Sequence, residues 1–227
     1  MKLKTIVPWG RNLTEYVDMF NLTYDELRNS KILGCGDGPA SFNAEVTVQG
    51  GSVVSIDPTY QFTTEQIAGR INEVALEVMA EVRKKQDDFV WKNIANPDAL
   101  YDMRMSAMQT FLADFKKGKK EGRYTYEMLP SLSFEDAQFD LALSSHFLFL
   151  YSGHLDEQFH IDAIDEMLRV ANEVRIFPLI TLEGKKSSHL DGIIKRLKIL
   201  TYQVIIESRE YEFQKGGFEM LRIRKKQ

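Results

Sequence analysis

Cysteine is almost absent: Cys35 is the one thiol in 227 residues. That excludes an internal disulfide and a cysteine metal cluster, and makes a reducing, cytoplasmic setting the natural expectation. Long apolar runs are missing as well. The longest, 147–151, is far too short to cross a bilayer, and 1–10 holds no run suited to a signal peptide. Charge of one sign is also lacking. With 29 basic against 33 acidic residues the net charge is −4, so no field for nucleic acid is expected. The short basic runs at 83–85, 116–120 and 222–226 read as solvated helix ends or tail. No repeat, low-complexity tract or linker interrupts the chain. What is present is core material, 44% hydrophobic and 11% aromatic residues, in a length that suits one domain over 1–227.

The apolar spacing predicts a broken helical cap over 1–30. Leu13, Tyr16, Val17 and Phe20 follow one helical face, the pattern falters near Asn21, and Thr23 with Glu26 forms a capping box for a second turn. Residues 31–35 read as a strand running into glycines, 40–49 as a helix and 52–57 as a β-branched strand. Such a βαβ unit predicts a parallel sheet. Helical patterns fill 63–85 and 97–117, and no proline falls inside either. A β/α rhythm then returns. Strands are expected at 124–128, 139–144 and 173–177, helices at 156–170 and 188–200, and a closing strand pair at 202–206 and 219–223, joined through Gly216-Gly217.

The most informative stretch is Ile32-Leu33-Gly34-Cys35-Gly36-Asp37-Gly38-Pro39-Ala40. Glycines after a strand admit positive φ and let a ligand approach the main chain, while the following helix offers free N–H groups. Asp57 ends the second strand about twenty residues after Gly36, where a carboxylate can accept ribose hydroxyls. Asp57 before Pro58 also suits a plain turn. The spacing G-x-G-x-G departs from the dinucleotide fingerprint G-x-G-x-x-G.

The segment resembles the first motif of class I S-adenosylmethionine-dependent methyltransferases. Gly36 and Gly38 take the first two glycine positions, Ala40 the third and Asp57 the ribose position. The run Leu132-Ser133-Phe134-Glu135-Asp136-Ala137-Gln138-Phe139-Asp140 is similar to that family's entry into its fourth strand. The resemblance covers 32–57 and 122 onward. It implies a three-layer α/β, Rossmann-like methyltransferase fold, with a mostly parallel seven-stranded sheet and a C-terminal antiparallel hairpin. It also implies S-adenosyl-L-methionine as cofactor, held by Gly34, Cys35, Gly36, Asp37, Gly38, Asp57, Pro58, Leu129 and Ser144. Two positions depart from it. Gly34 stands where an acid is usual, with Asp37 nearby as a substitute. Met128 falls where an acid near the adenine amine is usual, leaving adenine to backbone near Leu129.

Past the fourth strand, the resemblance puts His146 and Tyr151 beside the reacting methyl group. His146 is the candidate base, and Tyr151 the candidate for orienting an acceptor. The alternative for His146 is a histidine hydrogen-bonded to backbone beneath a helix, and for Tyr151 a core aromatic. His146, His154 and His160 lack the spacing of a metal site. The span 60–123 is about twice what the core needs and is rich in aromatic residues and methionine. It reads as a helical insertion that roofs an acceptor pocket or packs on a second copy in a homodimer. With Trp9, Arg11, Tyr16 and Phe20, it favours a small-molecule methyl acceptor. A non-catalytic nucleoside-binding protein and an NAD-dependent oxidoreductase remain as alternatives.

Overall fold

The computed structural model describes residues 6–226. Its strands are β1 (Lys31–Cys35), β2 (Ser52–Ile56), β3 (Tyr124–Thr125), β4 (Phe139–Ser145), β5 (Ala171–Phe177), β6 (Tyr202–Ser208) and β7 (Glu219–Lys225). They form one sheet in the order β3-β2-β1-β4-β5-β7-β6. The first five strands run parallel, and β7 is antiparallel to both β5 and β6. This is the seven-stranded Rossmann-like sheet with a terminal hairpin that the resemblance implied. Because β1 pairs with both β2 and β4, the chain order reverses there. Open parallel sheets bind ligands at such a point, off the carboxyl ends of the strands.

The helices are α1 (Leu13–Phe20), α2 (Tyr24–Asn29), α3 (Phe42–Val48), α4 (Thr64–Lys84), α5 (Pro97–Lys120), α6 (Glu157–Val170) and α7 (Leu190–Ile199). Capping boxes start α1 at Asn12 with Glu15 and α2 at Thr23 with Glu26, and Asn21 separates the two in a left-handed conformation (φ 52°). The broken cap therefore lies where its apolar spacing predicted. One face of the sheet buries Ala163, Ile164, Met167 and Leu168 of α6 with Leu190, Ile193 and Leu197 of α7. The other buries Tyr16, Met19 and Phe20 of α1 with Phe42 and Val46 of α3. Strands covered on both faces read as near-continuous apolar runs, as β1 does.

Some boundaries differ from the sequence pattern. β3 ends at Thr125 instead of 128, because the Glu127 amide folds back to the Thr125 carbonyl at 2.9 Å. β7 runs to Lys225 because it pairs with β6 along its whole length. α3 starts at Phe42, once the glycine turn and the three residues after it have been passed.

The insertion folds as α4 packed on α5. Tyr60, Phe111, Phe115 and Tyr124 stack into an aromatic cluster that ties α5 to the edge strand β3. Arg123 also forks onto Asp114 at 2.6 and 2.8 Å. Burying a large apolar side chain contributes about 1.5–3 kcal/mol, while a partly solvated ion pair adds about 1 kcal/mol at most. The rings therefore hold this element to the sheet, and the ion pair sets its register.

Candidate cofactor and acceptor site

A cavity of about 370 Å³ opens over the carboxyl ends of β1, β2 and β4. That volume falls within the range of about 300–1,000 Å³ typical of small-molecule sites. Its floor is the turn after β1. Gly36 has φ 70° and Gly38 φ 52°, and the Gly36 amide donates to the Ile56 carbonyl at 2.9 Å. The positive φ favours glycine at Gly36, and a β-carbon there would press on the Phe147 ring at 3.0 Å.

Asp37 resolves the departure at position 34. Its carboxylate folds back over β1 and fills the place a side chain on Gly34 would take: an ideal β-carbon there would lie 1.8 Å from Asp37 Oδ2. The Tyr16 hydroxyl donates to Oδ1 at 2.7 Å and the Ser55 hydroxyl to Oδ2 at 2.6 Å. Only 8% exposed, Asp37 has its pKa pushed up to about 6, chiefly by burial and further by the neighbouring Asp57, against the pull of those two hydroxyls. The acid is therefore present, delivered from three residues further along the chain.

Asp57 ends β2 and does two jobs. Oδ2 accepts the Gly38 amide at 2.9 Å, and Oδ1 accepts the Thr59 amide at 2.8 Å and the Thr59 hydroxyl at 2.6 Å. Burial raises its pKa, and those three bonds hold it back. Four lone-pair positions less three donors leave Oδ2 one free acceptor site toward the cavity it lines.

Gly36, Asp37, Gly38, Asp57, Pro58 and Leu129 all line the cavity, as do His146 and Tyr151. Gly34, Cys35 and Ser144 do not. Gly34 and Cys35 lie in β1, where the thiol is buried and its pKa raised by burial and by Asp37. Ser144 is fully buried in β4, and its neighbour Ser145 faces the cavity instead. Glu127 is an acid on the wall that the sequence reading missed. Its position beside Met128 was the available signal. Its carboxylate accepts the Ser133 amide at 2.9 Å and the Ser133 hydroxyl.

His146 follows β4 with φ 53°. Its amide donates to the Phe177 carbonyl at 2.7 Å, and Nδ1 lies 3.0 Å from the Ser145 hydroxyl. Burial, with the positive charges of Arg11 and Arg104, holds its pKa well below the ordinary value, so the imidazole is neutral at pH 7. Tyr151 is buried, which raises its pKa, and its oxygen accepts the Val7 amide at 3.3 Å. Among the described residues, no three histidine, cysteine or acidic side chains gather as a metal site. No helix among them is long and apolar enough to cross a membrane.

Cover for the cavity comes mainly from the extended N-terminal segment. Val7, Pro8, Trp9 and Arg11 line it, with Tyr16, while Phe20 belongs to the core below. From the insertion, Val78 alone reaches the wall. The rest of α4 supports the cover from behind, with Val74, Val78 and Met79 packed against Val7 and Trp9. Within 60–123, Val78 lines the cavity, and α4 packs against the segment that covers it.

The sequence is 38% identical over 226 residues to the uncharacterised protein MJ0045 of Methanocaldococcus jannaschii, covering 99% of each chain. The chain belongs to that protein's family. No family model matches it. Among solved structures, the PH0226 protein from Pyrococcus horikoshii OT3 is similar with a TM-score of 0.50 and 13% identity, over 93% of this chain and 89% of that one. Magnesium protoporphyrin IX methyltransferase from Synechocystis PCC 6803, with bound S-adenosylhomocysteine, is a looser likeness. It has a TM-score of 0.49 and 12% identity, over 93% of this chain and 81% of that one.

Proposed function

We propose that the protein is an S-adenosylmethionine-dependent methyltransferase acting on a small-molecule acceptor. The observation that carries this reading is the paired placement of Asp37 and Asp57 around the Gly36–Gly38 turn, at the switch point of the sheet. The donor set fits the cofactor. Asp57 keeps an acceptor site for a ribose hydroxyl, Asp37 offers a buried carboxylate to an α-ammonium group, and Gly36 and Gly38 expose backbone to close approach. Met128 and Leu129 give adenine an apolar face.

When bound, S-adenosylmethionine supplies a methyl group activated by its sulfonium. What the chain adds is alignment, a dry wall and a proton acceptor. Phe147, Leu150, Leu155, Phe159 and Leu182 exclude water from the end of the cavity beside His146. His146, held neutral, can take a proton from an acceptor at Nε2 while Nδ1 stays against Ser145. Tyr151 fixes the N-terminal cover through Val7.

Calorimetry with S-adenosylhomocysteine should find one site per chain, and NAD should not compete. Absence of binding by both sulfur nucleosides would overturn the cofactor. Binding without methyl transfer to any of a panel of small acceptors would leave a nucleoside-binding protein.

A further inference from the structure

Positive charge also meets the cavity. Arg11 lines its wall, with Nη1 donating to the Trp9 carbonyl at 3.2 Å and Nε buried without a partner among the described residues. Arg104, outside the lining, is wholly buried. Its Nη1 binds Glu15, and neither its Nε nor its Nη2 has a hydrogen-bond partner among the described residues.

Glu15 is already engaged, accepting the Tyr211 hydroxyl at 2.7 Å and the Asn12 amide at 3.2 Å. Burial alone would raise its pKa, but the two arginines and Tyr211 hold it below the ordinary value, so it is ionised. Glu15 pairs directly with Arg104 alone, and Arg11 acts on it only at longer range. Asp37, whose oxygens accept from Tyr16 and Ser55, makes no ion pair with either arginine. Nor does neutral His146.

A desolvated, uncompensated guanidinium is costly, and a planar carboxylate is the group whose geometry its fork matches. Phe147, Leu150 and Leu182 give the same cavity an apolar wall.

We propose that Arg11 heads an anion subsite and that the methyl acceptor is a small organic acid, its carboxylate held by Arg11 and its apolar body against Phe147, Leu150 and Leu182. The word acceptor rests on the methyltransferase reading; the anion subsite rests on the arginines alone. The cofactor's own α-carboxylate is the other source of the same chemistry, and the test separates the two.

Calorimetry of the full chain is run with benzoate and with its uncharged analogue benzamide, each alone and under saturating S-adenosylhomocysteine. Benzoate should bind and benzamide should bind more weakly by roughly tenfold or more, the factor that one charged contact commands. Arg11→Met should weaken benzoate by about the same factor and leave S-adenosylhomocysteine within about twofold. Arg11→Lys, which keeps the charge without the fork, should fall between, and it carries the test if the methionine variant does not fold.

Equal binding of benzoate and benzamide, or benzoate affinity indifferent to both variants, overturns the subsite. If either variant weakens S-adenosylhomocysteine but not 5′-methylthioadenosine, which lacks the carboxylate, the anion held is the cofactor's and the acceptor assignment falls. Benzoate binding through Arg11 in a chain that ignores S-adenosylhomocysteine keeps the subsite and removes the methyltransferase reading.

Discussion

The acidic and basic side chains around the cavity handle buried charge in contrasting ways. At the glycine turn, Asp37 and Asp57 take five donated hydrogen bonds from this chain, from Tyr16, Ser55, Gly38 and Thr59. Arg11 on the cavity wall and Arg104 outside it leave three buried nitrogens without partners among the described residues. Carboxylates accept from many small donors, so the fold can satisfy them internally. A rigid guanidinium needs planar acceptors, and here Glu15 pairs with Arg104 alone. The acidic set is built in advance, and Arg11 is left for what enters.

The largest test of that contrast is Arg104→Met. It leaves Glu15 desolvated without its main partner, and urea unfolding should report a loss of about 3–5 kcal/mol. Adding Glu15→Gln should recover much of it, and a double variant as unstable as the single one would mean the pair matters for packing alone. Next is Gly34→Ala. Its β-carbon collides with the Asp37 carboxylate, and overpacking of this kind costs about 1–3 kcal/mol. In an Asp37→Ala background the cost should largely vanish, and additive effects would show that Asp37 does not occupy the space above Gly34.

Asp57→Ala should weaken S-adenosylhomocysteine by about 1.5–3 kcal/mol, as expected for bonds to a charged acceptor. It should also lower the melting temperature, because the Gly38 and Thr59 amides lose their acceptor. Unchanged affinity in a folded variant would reduce Asp57 to a turn residue.

The smallest effect is in pH. The Asp37 pKa is raised from 3.8 to about 6, so the folded chain holds that proton longer than the unfolded chain does. Its contribution is present below the unfolded value and is lost as pH rises through 6. Compared with Asp37→Asn, the wild type should lose about 1 kcal/mol between pH 4 and pH 7, softened because the cavity reaches the carboxylate. Parallel pH profiles for the two proteins would mean that Asp37 does not titrate there.

Much of the acidic set was legible in the sequence, because a glycine turn and a strand-end carboxylate are local patterns. Apolar period and capping residues likewise located the α-helices and strands, with errors at their ends, while the short 3-10 turns at 58–61, 86–88 and 149–151 were not foreseen. Asp37 was visible as a neighbour of Gly34, but its return over β1 depends on Tyr16 and Ser55, which approach from other elements. The basic set left no such trace. Arg11, Glu15, Arg104 and Tyr211 lie up to 200 positions apart, and no spacing rule links them. Glu127 was overlooked because β3 stops early and the turn behind it carries the acid onto the wall. The insertion's role stayed open between a roof and a partner interface for a related reason: apolar periodicity says that helices pack, not on what.

Gly10 has a consequence for the order in which the protein can be made. A β-carbon there would lie 2.1 Å from the Pro39 carbonyl oxygen, so the N-terminal segment lies directly on the backbone after the glycine turn. Val7 is then fastened to Tyr151, and Val7 and Trp9 share a cluster with Phe213. On a ribosome this segment emerges well before Tyr151 and Phe213, the surfaces it docks on. Until they follow, Val7 and Trp9 have nowhere to bury themselves, and the nascent chain carries an exposed apolar segment. The cover of the ligand cavity is thus synthesised long before the surfaces that hold it.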